Sequence, residues 1–155
     1  MTPAIRLLKQ QNIAHSVHEY EHDPNNTNFG LEACEKLGLS ADEVFKTLLT
    51  TDGKQCFVAI LPVQNTLNLK KMATAVNVKK LVMANPADAE RITGYIVGGI
   101  SPIAQKKRLK TVIDERAKQL DTMYVSGGRR GLDIAIAPDD LAKVLSAEFV
   151  GIVDE

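Results

Sequence analysis

Two glycine-built stretches stand out for the chemistry their residue types could do. The first is Gly98-Gly99-Ile100-Ser101-Pro102, followed by the basic run Gln105-Lys106-Lys107-Arg108. The second is Val125-Ser126-Gly127-Gly128-Arg129-Arg130-Gly131-Leu132-Asp133. Glycine lets a backbone approach a ligand closely and turn through positive φ without strain. Each stretch carries a serine and lies beside cations. Together they suggest a pocket that grips something polar and phosphorylated; as separate features they read as tight turns between strands.

Lys46 is the sharpest single residue. It interrupts the apolar, β-type run Val44-Phe45-Lys46-Thr47-Leu48-Leu49. On a strand it shares a face with Val44 and Leu48. A lysine there must snorkel, guard a sheet edge, or reach an anion in a cavity. Asp133 is either a carboxylate that binds an amine or a surface charge. Other reactive groups lack partners. Neither Ser101 nor Ser126 lies in a Gly-x-Ser-x-Gly elbow, and no histidine follows His22. His15, His18 and His22 lack the spacing of a metal set, so no metal is expected. Cys34 and Cys56 are the only cysteines, and both read as reduced, mostly buried small hydrophobes. An enzyme built this way would supply binding, orientation and oxyanion donors, with the reactive group brought by the substrate.

The elements that position these residues follow from pattern. Thr2-Pro3 starts a helix with a hydroxyl cap and proline in the first turn. His15 to Tyr20 reads as a strand, and a helix runs from about Leu31 to Gly38. Ser40-Ala41-Asp42-Glu43 has capping-box spacing and predicts a helical turn. Val44 to Thr51 and Gln55 to Leu61 form a hairpin about Asp52-Gly53. Asn68 and Asn85-Pro86 open two further helices, with a short strand at Lys80 to Met83 between them. Strands are expected at Tyr95 to Val97, Thr111 to Asp114, Thr122 to Ser126 and Leu132 to Ala137. Pro138 begins a last helix, and Phe149 to Val153 is extended. Helices and strands mix without regular βαβ alternation, which predicts an α+β fold with a mixed, curled, barrel-like sheet flanked by helices.

Composition sets the outer limits. The chain has 155 residues, 45% of them hydrophobic, with 19 basic and 19 acidic side chains. That length suits one compact domain with its own core. A net charge of zero excludes binding nucleic acid by bulk electrostatics alone. With 5% aromatics and no tryptophan, an extended base-stacking platform is not expected. No run approaches the ~18 apolar residues of a membrane span. A cytoplasmic protein without membrane contact is expected.

The chain resembles the YbaK/EbsC family, free-standing relatives of the prolyl-tRNA synthetase editing domain. The resemblance runs nearly end to end. It is carried by Tyr20-Glu21-His22-Asp23-Pro24, Asn28-Phe29-Gly30, Lys46-Thr47-Leu48-Leu49, Thr93-Gly94-Tyr95, Val97-Gly98-Gly99-Ile100-Ser101-Pro102, Gln105-Lys106-Lys107-Arg108 and Tyr124-Val125-Ser126-Gly127-Gly128. One departure is Ala104, where the family usually has glycine; a positive φ there would strain alanine.

The resemblance implies an aminoacyl-tRNA deacylase that needs no cofactor. It would remove cysteine from mischarged tRNA(Pro), and from tRNA(Cys), the cysteinyl thiol attacking its own ester. Lys46 would hold the terminal adenosine or its phosphate. Tyr20, Phe29, Thr47 and Pro102 would line the pocket. The backbone of Gly98, Gly99, Ile100 and Ser101 would donate to the ester oxygen. Ser126 and Asp133, with Gly127 and Gly128, would meet the aminoacyl group. Lys106, Lys107, Arg108, Lys110, Arg129 and Arg130 would form one weak tRNA patch, helped by association with prolyl-tRNA synthetase and its tRNA in a ternary complex. A deacylase for another amino acid, such as alanine, and a non-catalytic module for a nucleotide or acceptor end are the other readings.

Overall fold

A computed structural model describes residues 1–155. It contains five α-helices: α1 (Pro3–Gln10), α2 (Phe29–Leu37), α3 (Leu69–Ala75), α4 (Pro86–Thr93) and α5 (Pro138–Leu145). Eight strands accompany them: β1 (His15–Glu19), β2 (Phe45–Thr51), β3 (Cys56–Pro62), β4 (Val82–Met83), β5 (Lys110–Asp114), β6 (Met123–Arg129), β7 (Leu132–Ile136) and β8 (Glu148–Val150). The α+β class follows directly. The sheet is not one curled barrel, however. The strands form a three-stranded sheet in the order β1-β7-β6 and a five-stranded sheet in the order β4-β2-β3-β5-β8. An isolated parallel bridge, Val44 to Tyr124, links them.

Local chemistry sets the element ends. Asn28, Asn68 and Asn85 each accept the backbone N–H three residues on, capping α2, α3 and α4. Gly38 and Gly94 end α2 and α4 in the left-handed conformation. The Ser40–Glu43 capping box forms in part, with Ser40 N–H donating to Glu43 Oε2 at 3.0 Å, but it closes a turn and no helix.

Tyr95 to Val97 is likewise not a strand. Its β-type composition is overridden by side chains and turns: Glu90 Oε2 accepts Val97 N–H at 2.8 Å, and Gly99 N–H closes a turn onto Ile96 C=O at 2.8 Å. A 3₁₀ turn at Glu115–Gln119, unmarked by the sequence pattern, connects β5 to β6.

β3 is buried along both faces, as a central strand must be. Val58 and Ile60 join the main core with Leu8, Ile113, Ile134, Ile136 and Leu141. Phe57, Ala59 and Leu61 pack against Met72 and Val76 on the other side of the sheet. In the three-stranded sheet, Leu132, Ile134, Ile136, Met123 and Val125 belong to the main core. Strand alternation then turns Asp133, Ser126 and Tyr124 to the opposite face. A small apolar cluster of Ala33, Cys34 and Val44, with Tyr20 and Tyr124 against it, ties α2 to that side.

Candidate functional site

A cavity of about 350 Å³ opens between α2, the N-terminal half of β2, the start of α4, the Gly98 loop and the polar face of the three-stranded sheet. Tyr20, Phe29, Lys46, Thr47, Gly98, Ile100, Ser126 and Asp133 all line it. Sequence reasoning missed most of its apolar wall, including Leu49, Met83, Ala84, Pro86 and Ala89. Such residues are indistinguishable from ordinary core in a sequence.

Two ionisable groups meet this cavity without ion-pair partners in the protein. Lys46 is half-buried on β2, and none of the chain's ion pairs or side-chain hydrogen bonds includes its ammonium. Burial holds its pKa below the usual lysine range. Asp133 on β7 is only 6% exposed. Burial pushes its carboxyl up to about 7. It forms no ion pair with Lys46 or with any arginine. Ser126 sits directly opposite it across the β6–β7 ladder. Tyr20 follows β1, anchored by its N–H to Gly131 C=O at 2.9 Å. Burial first, then the Asp133 and Glu32 carboxylates, push its phenol up to about 12. The cavity thus has a polar end at Asp133 and Ser126, a cation at Lys46, and an apolar wall.

The two glycine-built stretches do come together. A Cβ on Gly99 would lie 2.7 Å from Arg129 Cα, so the Gly98 loop packs directly on the β6–β7 bulge. On its other side a Cβ on Gly98, at φ +89°, would lie 2.8 Å from the Phe29 ring. Phe29 is also covered by the Arg130 guanidinium, 4.8 Å from the ring centroid. Arg130 Nε donates to Val97 C=O at 2.9 Å, tying that guanidinium to the same loop.

The remaining expected site residues lie behind this lining. Gly99 N–H is taken by Ile96 C=O. Ser101 is fully buried, and its Oγ accepts Ile103 N–H at 3.2 Å. Pro102 borders a second, smaller hollow with Lys107 and Arg108. Gly127 packs on Leu132, and Gly128, at φ +110°, on Thr2 and Tyr95. Thr2 Oγ1 donates to Gly127 C=O, so the first helix pins the bulge. Tyr95 OH donates to Ile103 C=O at 2.6 Å and anchors the far end of the Gly98 loop. Ala104 adopts φ 59°, the left-handed conformation.

Two members of the expected cation patch have partners within the protein. Arg129 pairs with Glu19 at 3.3 Å, and Arg108 donates to Ser146 Oγ at 2.9 Å. His22, unassigned by sequence, pairs through Nδ1 with Glu32 Oε1 at 2.6 Å. Burial alone would raise the Glu32 carboxyl. The hydrogen bonds from His22 and the Asp23 amide outweigh it and lower the pKa. The pair fixes the chain entering α2, where Phe29 stands. No three His, Cys, Asp or Glu side chains gather as a metal site.

Comparison with known proteins places this arrangement. Residues 28–144 match the model of the aminoacyl-tRNA editing domain. The chain belongs to the aminoacyl-tRNA editing domain family. It is 37% identical to an Enterococcus faecalis protein named "Putative Cys-tRNA(Pro)/Cys-tRNA(Cys) deacylase EbsC", over 97% of this chain and 92% of that protein. It is 26% identical to the proline–tRNA ligase of Fervidobacterium nodosum, over 66% of this chain but 18% of the ligase. Among solved structures, a "putative trans-editing enzyme for prolyl tRNA synthetase" superposes with TM-score 0.85 at 21% identity, covering 100% of this chain and 99% of that one. At that identity the superposition establishes the fold of this editing domain.

Proposed function

We propose that this editing domain is an aminoacyl-tRNA deacylase acting in trans on mischarged Cys-tRNA(Pro), and on Cys-tRNA(Cys). The observation that carries the reading is an ammonium and a carboxyl that share one cavity without ion-pair partners in the protein, Lys46 and Asp133. An aminoacyl-tRNA end offers the matching pair, an α-ammonium on the amino acid and phosphates on the nucleotide. An incoming ammonium beside Asp133 would return its carboxyl to the ionised form. Lys46 would meet the anionic side of the terminal nucleotide.

The chemistry asks little more of the protein. The cysteinyl thiolate attacks its own ester carbonyl carbon. A carbon–sulfur bond forms, the carbon–oxygen bond to the ribose breaks, and the proton lost by the thiol ends on the ribose oxygen. The product is a cyclic thiolactone that hydrolyses later. A thiol of pKa about 8.5 needs confinement in a reactive rotamer more than a strong base. Phe29, held by Gly98 and Arg130, and the apolar wall supply that confinement. Free Gly98-loop amides would stabilise the ester oxygen, Gly99 N–H being already engaged.

A chain with no net charge has a weak hold on tRNA by itself. Resemblance to part of proline–tRNA ligases supports a partnership with that synthetase and its tRNA in the cytoplasm, which would raise the effective concentration. Ester release from Cys-tRNA(Pro), Ala-tRNA(Pro) and Cys-tRNA(Cys) tests the reading. Release from both cysteinyl substrates and not from Ala-tRNA(Pro) is expected. Release from Ala-tRNA(Pro) alone, or from none, overturns it.

A further inference from the structure

The backbone of β2 faces two ways, and its pairing fixes which residues face where. Val63 N–H donates to Val44 C=O at 2.9 Å at one end of the β2–β3 ladder, and Asp52 N–H to Gln55 C=O at 3.1 Å at the other. With Lys46 opposite Leu61, Leu48 opposite Ala59 and Thr50 opposite Phe57, the even-numbered residues of β2 turn their N–H and C=O groups to β3. The odd-numbered residues turn theirs to the outer edge. Ala84 N–H, donating to Leu49 C=O at 3.0 Å, meets one of them there.

On that edge, β4 pairs with Thr50 and Thr51 only. No strand reaches Thr47. Its N–H and C=O therefore face the open edge where the cavity begins, and Thr47 lines that cavity. A second observation points the same way: Thr47 Oγ1 is buried without a hydrogen-bond partner. Buried polar groups of a strand are ordinarily paired. A strand edge, a free hydroxyl and the apolar residues Leu49, Met83, Pro86 and Ala89 together describe a slot for a flat ring with polar atoms along one side.

We propose that Thr47 reads the terminal adenine through its backbone, its C=O accepting from the 6-amino group and its N–H donating to ring nitrogen N1. This inference rests on the reading that an acceptor end enters the cavity. The N–H and C=O of one strand residue point to the same side and form an adjacent donor and acceptor. Adenine offers the complementary pair on its Watson–Crick edge. Guanine and hypoxanthine present a carbonyl and an N1–H there, which reverses both partners. The polar end at Asp133 and Ser126 is left for the aminoacyl group.

Proline at position 47 isolates the backbone contribution. Its missing N–H costs no ladder bond, because that N–H faces the open edge. Lys46, already extended, tolerates a following proline. Thr47→Val removes the hydroxyl and keeps the backbone pair.

Binding of AMP and IMP is measured by calorimetry on the full chain, wild type and both variants. A bidentate edge contact of this kind discriminates by roughly ten- to a hundredfold. Wild-type protein should prefer AMP over IMP by at least about tenfold, Thr47→Val should retain a preference, and Thr47→Pro should lose it. The Thr47 amide proton of the wild type should also shift downfield on AMP and not on IMP, a readout independent of how Thr47→Pro folds. Equal binding of the two nucleotides, no saturable AMP binding, or a preference that survives in Thr47→Pro overturns the proposal. Parallel deacylation assays keep the two claims separate. Cleavage without base preference refutes this inference alone, and base preference without cleavage refutes the deacylase reading alone.

Discussion

Replacing Asp133 with asparagine should stabilise the fold, and the gain should grow with pH. The carboxyl is 6% exposed, and burial raises its pKa from 3.8 to about 7. A raised folded-state value means that the native protein holds a proton which the unfolded chain has already released. Stability is therefore greatest below the unfolded pKa and falls as pH climbs through the folded one. At about 1.4 kcal/mol per unit, the full cost of ionised Asp133 is about 4 kcal/mol by pH 8, of which less than half is already present at pH 5.

Asparagine carries no charge at either pH, so its own burial cost cancels when the two conditions are compared. The stability gain of Asp133→Asn over wild type should thus be about 2–3 kcal/mol larger at pH 8 than at pH 5. For a chain of this length that corresponds to about 5–10 °C in Tm. Calorimetric melts of both proteins at the two pH values measure it. A gap that does not change with pH would mean that Asp133 is not a desolvated carboxylate in the apo protein. Activity should move the other way, since the same charge is assigned to the substrate's ammonium. A residue that costs stability and serves function is a familiar compromise at binding sites.

Three further outcomes follow from particular contacts. Lys46→Ala should cut deacylation by about two orders of magnitude or more with an unchanged far-UV circular dichroism spectrum, because an unpaired, half-buried ammonium supports no fold contact but matches a phosphate; activity within a few-fold of wild type would assign Lys46 to structure. Ala104→Gly should raise the urea midpoint, since a left-handed alanine costs about 1 kcal/mol relative to glycine; an unchanged or lower midpoint would show that the loop holds no strain there. The Cys34→Ala/Cys56→Ala protein should stay active under prolonged chelation, and loss of activity in a folded double variant would implicate a protein thiol.

Part of the candidate site is legible in the sequence because its residues break their local pattern. Lys46 interrupts an apolar strand, and Asp52-Gly53 fixes the hairpin that carries it. Asp133 was legible as a candidate but not as a buried one. Its neighbours Leu132 and Ile134 enter the core, and only the third dimension shows that α2 covers the face Asp133 shares with Ser126. Glu32 looks like an ordinary acidic residue in a first helical turn, yet it is buried against His22. Tyr95 to Val97 has strand composition, but Glu90 captures its backbone. The apolar wall from β4 and α4 carries no chemical signature at all. The division into two sheets is not legible, because which strands pair is decided by contacts far apart in the chain, as in β3 with β5 and β1 with β7.

The central claim is that the substrate's thiol performs the cleavage inside a cavity that only binds and confines it. Single-turnover ester cleavage of Cys-, Ser- and S-methyl-Cys-tRNA(Pro) under identical conditions tests it most directly. Serine is nearly the size of cysteine, and shape alone rejects a near-isostere by no more than about a hundredfold. A thiol, a few per cent ionised at neutral pH, differs from a hydroxyl far more in reactivity. The account predicts rapid release from the cysteinyl substrate alone, with Ser-tRNA(Pro) bound comparably but barely cleaved. Rapid cleavage of the S-methyl substrate would contradict it and assign the attack to a water activated by the protein.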